Sequence, residues 1–129
     1  SITAPSDERM KKDIETSTAG LSFINDLRPV TYKWKKEKDI VNTLDAYVEG
    51  SDKKVINDTT NHGFIAQEVK TAIDNHSEIK DGFDMWMEKD SDGQQRVAPS
   101  ALIPILTKAI QEQQALIESL TARIETLEG

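Results

Sequence analysis

Ser6 and Lys11, five residues apart in Ser6-Asp7-Glu8-Arg9-Met10-Lys11, are the one constellation in this 129-residue chain that could make a nucleophile and its base. A serine hydroxyl is weak until a neighbour takes its proton, and a lysine can do so only when burial or positive neighbours lower its pKa. Regular structure works against the pair. On a helix, five residues rotate about 500° and leave the two side chains roughly 140° apart; on a strand they point to opposite faces. A working dyad therefore needs an irregular strap, or a Lys11 reaching Ser6 from another chain. By residue type alone, SDERMKK reads first as a solvated charged turn in which Ser6 caps a short helix.

The other candidates carry less. His62 and His76 are too isolated to suggest a metal site and read as turn or helix-end residues. Asp90-Ser91-Asp92-Gly93 resembles a fragment of a calcium loop but lacks the remaining ligands and the distal Glu, so turn chemistry accounts for it. Gln67-Glu68 could be a polar functional pair, although Glu68 at a helix start is equally explained by the macrodipole. No cofactor or metal is expected.

The composition narrows the classes. Sixteen Lys and Arg against 23 Asp and Glu give a formal charge of -7, which disfavours a generic phosphate-backbone binder, so no nucleic acid is expected. With no Cys, disulfide frameworks and thiolate chemistry are excluded. No apolar run approaches the roughly 18–20 residues of a membrane span, and Ser1 to Met10 lack the order of a signal peptide. The expectation is one soluble domain with a thin core and no membrane partner.

The elements that would position Ser6 and Lys11 follow from periodicity. Residues 1–14 read as an exposed strap, 15–99 as a mixed helix and strand body, and 100–129 as a long helix. Within the body, Leu21, Ile24 and Leu27 predict a short helix from about Thr18 to Leu27, ended by Pro29. Val30, Tyr32 and Trp34 alternate with polar residues as a strand with an aromatic face inward. Residues 36–61 read as a hairpin or an extended excursion. Val69 and Ile73 predict a helix over Ala66 to Asp74, and the alternation at 83–88 with the turn at 90–93 predicts a hairpin.

The C-terminal pattern is the clearest. Ile103, Ile110, Ile117 and Ile124 repeat every seven residues, and Leu106, Gln113, Leu120 and Leu127 repeat with an offset of three. That is the a and d seam of a coiled coil, with Ser100 as a cap and Pro104 in the first turn. Ile at a with Leu at d leans toward two strands, whereas Ala109 and Leu116 at g widen the stripe in favour of three. The pattern alone leaves two or three.

Four segments together resemble the endosialidase-type C-terminal intramolecular chaperone domain that ends many phage tailspikes and tail fibres. They are Ser6 to Lys11, Gly20 to Trp34, Gly63 to Val69 and Leu102 to Glu112. The resemblance implies an α+β domain whose long C-terminal helix forms a trimeric parallel coiled coil. It implies a homotrimer that templates the fibre or tailspike domain preceding it in the same polypeptide, then cuts itself off by a Ser-Lys dyad. Ser6 would be the nucleophile and Lys11 its general base, with cleavage on the N-terminal side of Ser6. The expected setting is the host cell cytoplasm during virion assembly, with the module cleaved off and absent from the mature fibre. Because of the 140° separation, the dyad is expected to form only in the trimer. The alternative is a structural trimerisation or adaptor domain without peptidase activity.

Overall fold

The computed structural model describes residues 3–79 and 83–129; Ser1 and Ile2 of the strap, and residues 80–82, lie outside the described residues. Helix α1 (Leu21–Asn25), strand β1 (Val30–Tyr32), strand β2 (Asn61–Gly63) and helix α2 (Ala66–Asp74) are followed by strands β3 (Trp86–Glu88) and β4 (Gln95–Val97) and by helix α3 (Ile103–Glu128). The molecule is a small mixed helix and strand body with a long C-terminal helix of 26 residues.

Two antiparallel ladders frame the body. β1 pairs with β2, Thr31 opposite His62, and β3 pairs with β4, Met87 opposite Arg96. The core lies between α1, α2, the second hairpin and the start of α3: Ala19, Phe23, Val69, Ala72, Met85, Leu102 and Ile105. Phe23 and Met85 are fully buried. Phe83 meets Phe23 edge-on at 5.8 Å, a favoured aromatic geometry.

Helix α2 has the bounds its Val69 and Ile73 spacing predicts. Helix α1 is shorter than expected. Gly20 stands at its N-cap without a side-chain bond, so Thr18 and Ala19 belong to the incoming chain. The strand expected through Trp34 closes at Tyr32, while Trp34 remains edge-on to Tyr32 at 5.3 Å. In the second hairpin the expected face splits: Met85 is buried but Met87 is exposed. Trp86 packs on the core instead, its indole N–H donating to Gln95 and Lys70 lying over its ring.

Residues 36–61 form the excursion rather than a hairpin of regular strands. A 3-10 turn at Glu37–Asp39 and one bridge, Lys36 to Lys54, hold its base. Asp92 ties its tip down by accepting from the Asp45 N–H, while Lys89 donates to the Asp45 carboxylate. Asp92 also accepts from Gln94 N–H, and Gly93 takes φ 75°. The Asp92 carboxylate thus does turn chemistry.

Helix α3 departs from expectation at its start. Residues Pro99–Leu102 form a 3-10 turn, Leu102 is the N-cap of α3, and Ser100 does not cap it. Leu102, Ile105 and Ala109 are buried, packed toward α1. Ala109 therefore serves its own body and does not widen the seam. The a and d residues Ile103, Leu106, Ile110, Ile117, Leu120, Ile124 and Leu127 are between 41% and 87% exposed. On a 3.5-residue repeat the buried stripe lies roughly 100° around the helix from that seam, so one helix can serve both surfaces.

Candidate functional site

The strap is where Ser6 and Lys11 meet. Every described residue from Thr3 to Thr18 is exposed, and Ala19 is the first buried one. Within it a single 3-10 turn, Glu8–Met10, reverses the chain: Met10 N–H donates to Asp7 C=O and Lys11 N–H to Glu8 C=O, both at 3.0 Å. Lys11 then leaves in extended conformation, φ -117° and ψ 150°. As a result Lys11 Nζ donates to Ser6 Oγ at 2.6 Å, inside one chain.

This corrects the expectation that only a trimer brings the two together. The 140° argument holds for a full helix, whereas one 3-10 turn between extended residues lets a long lysine stem fold back. With a neutral lysine, the same short contact runs the other way, the Ser6 hydroxyl donating to the amine. That is the arrangement from which a base can take a proton.

The cap of the turn is Asp7, not Ser6. One carboxylate oxygen of Asp7 accepts from the Arg9 backbone N–H at 2.9 Å and from Arg9 Nε at 3.0 Å; the other accepts from Arg9 Nη2 at 2.7 Å. The Arg9 side chain beside it holds the Asp7 carboxyl below the usual carboxylate range, helped by the Arg9 backbone N–H. Sequence reasoning missed this clamp. Its signal was an Asp at the turn's entrance with an Arg two positions on.

The remaining candidates separate into other roles. Glu68, at the start of α2, accepts two bonds from the Arg28 guanidinium at 2.8 and 2.6 Å, so it joins the segment around Pro29 to the segment after Gly63. Arg28 holds the Glu68 carboxyl below its ordinary range. His62 sits exposed on β2. His76 is buried just past α2, with Nε2 against Asp26 and Nδ1 against Glu78, and its pKa is raised by Asp26 first and Glu78 next.

One further contact sets where the strap leaves the body. Leu21 N–H, unpaired within α1, donates to the Glu112 carboxylate at 3.0 Å, across 91 residues. A Cβ at Gly20 would lie 2.0 Å from that oxygen, so glycine there permits the approach.

The family model described as chaperone of endosialidase, whose name also marks a peptidase family, matches residues 6–78. The chain belongs to the chaperone of endosialidase family. The match opens on Ser6 and takes in the strap turn, α1, β1, β2, α2 and the His76 clamp, while the hairpin at 83–97 and α3 lie beyond it. Three of the four segments that resembled the family fall inside the match, and Leu102 to Glu112 falls outside. No curated protein matches the chain. Among the described residues, no helix of this family member is long and apolar enough to cross a membrane.

Proposed function

We propose that this chain is a trimeric intramolecular chaperone of a phage tail fibre or tailspike, which aligns three copies of the polypeptide preceding it and then releases itself by serine-lysine self-cleavage. In this reading the strap (1–14), body (15–99) and helix (100–129) are three working parts. The observation that carries it is the exposed Ile and Leu seam of α3, standing clear of a body that covers a different face of the same helix. The surface area supports it. The single chain exposes 10182 Å², against about 6,800 Å² for a compact monomer of 14.4 kDa.

The role follows from assembly physics. Intertwined β-fibres depend on non-local contacts, so registration is slow and misassembly competes. A helix bundle raises the local concentration of the three chains and fixes their alignment. Its removal takes away an unfolding route and leaves the product kinetically trapped. The setting is the host cell cytoplasm during virion assembly, and the released module is absent from the mature fibre.

The release step assigns Ser6 as nucleophile and Lys11 as general base. Lys11 takes the Ser6 hydroxyl proton as Oγ bonds to the carbonyl carbon of Pro5. The Pro5–Ser6 C–N bond breaks, and its nitrogen receives that proton from Lys11. Water then adds to the ester, Lys11 relaying its proton to Ser6 Oγ. The products are a Pro5 carboxylate and a Ser6 α-amine.

A second reading, a trimerisation domain without cleavage, is favoured by the exposure of Ser6 and Lys11 in the single chain, since a lysine base needs burial or positive neighbours. Sedimentation equilibrium of the chain at micromolar concentration tests the assembly shared by both readings. Three chains' mass supports it, and a folded single chain overturns it.

A further inference from the structure

We infer that the Asp7–Arg9 clamp is the positioning device of the Ser6–Lys11 pair, with Asp7 as its central residue; the inference rests on the self-cleavage reading above. The dyad has no help from the body, because the strap residues around it are all exposed. Within the single chain its geometry comes from the six residues themselves. Only two backbone bonds close the turn, Met10 to Asp7 and Lys11 to Glu8. A lone 3-10 turn in water is marginal, since fixing three residues' dihedrals costs more than so few bonds return.

Asp7 changes that balance with three charge-assisted contacts. Its carboxylate takes the free Arg9 N–H at the turn's first residues, as an N-cap does, and grips both faces of the Arg9 fork. Arg9 is thereby folded back on Asp7. Ser6 lies one residue before the clamp and Lys11 two after it, so holding Asp7 to Arg9 brings Lys11 Nζ to Ser6 Oγ. Neither Asp7 nor Arg9 contacts Ser6 or Lys11 by side-chain bonds, and neither takes part in the chemistry.

The experiment uses the full natural polypeptide. The fragment beginning at Ser6 is followed over time by intact mass, with the assembly state and thermal midpoint measured alongside. Asp7→Ala is expected to slow cutting by about 10- to 100-fold, the cost of ångström-scale misplacement, with the assembly and midpoint unchanged. Asp7→Asn keeps a cap acceptor for the Arg9 N–H, and Arg9→Ala keeps the backbone bond, so both fall between Asp7→Ala and wild type. Asp7→Ala cutting within twofold of wild type overturns the inference, as does a slowing matched by loss of assembly or midpoint. Ser6→Ala that still cuts refutes the self-cleavage reading instead. A readout independent of cutting is the Lys11 15Nζ resonance: Asp7→Ala should move it as Ser6→Ala does, and a wild-type position in Asp7→Ala overturns the inference.

Discussion

His76 stands edge-on to Phe23, ring centroids 5.5 Å apart at 88°, and this packing holds one ring nitrogen against Asp26 and the other against Glu78. A neutral imidazole has one N–H, so it cannot donate to both carboxylates. The imidazolium can. The raised His76 pKa therefore contributes stability that is complete below the ordinary imidazole value of about 6.5 and is lost as pH rises through the raised value. The lowered Glu78 pKa contributes in the opposite sense, and is lost only as pH falls through it. The thermal midpoint should fall as pH rises above about 6.5 and through the raised His76 value, and His76→Gln should flatten that fall. Parallel curves for the two proteins contradict the clamp.

Phe23 carries the core on which that clamp rests. It is fully buried, in contact with Phe83 and His76. Phe23→Ala should cost about 3–5 kcal/mol of unfolding free energy in urea titration. A loss below about 1 kcal/mol would place the core elsewhere.

Gly20→Ala is expected to displace the Glu112 carboxylate, since the new Cβ would meet its oxygen. The Leu21 N–H then loses its partner, at a cost of about 1–2 kcal/mol. Adding Glu112→Ala to Gly20→Ala should cost little more than Gly20→Ala alone. Additive losses in the double mutant would mean the two residues act separately.

The legible parts of this fold were those in which one face of a regular element is buried. Val69 and Ile73 share the inner side of α2, and Val30 and Tyr32 share one side of β1, so period revealed both. The segment 36–61 was legible only as a hairpin or an excursion, and the contacts that hold it were not. It is held by Asp45 to Asp92 and by Ser51 to Glu37, polar contacts between residues that no local period connects. Ala109 was misassigned because a small residue beside the seam fits either a third helix or its own body, and only the packing against α1 decides. Of the two routes that the Ser6–Lys11 spacing leaves open, the contact takes the irregular strap, but the single 3-10 turn and its Asp7 cap that close it follow no apolar period.

The seam makes its own prediction. Ile110 and Ile117 are exposed in the single chain, so replacing both by Asp leaves the core at Phe23 and Met85 intact. The double variant should sediment as a folded single chain, and in the full polypeptide it should cut more slowly, because Lys11 is exposed in the single chain and a lysine base requires burial or positive neighbours, which in this account assembly must supply. Undiminished cutting by that single chain would show that the strap works without assembly.

The most direct measurement is the intact mass of the full natural polypeptide after expression, for wild type, Ser6→Ala and Lys11→Ala. The account predicts a wild-type fragment whose first residue is Ser6, absent in both variants. An uncut wild type, or the same fragment from Ser6→Ala, would contradict it.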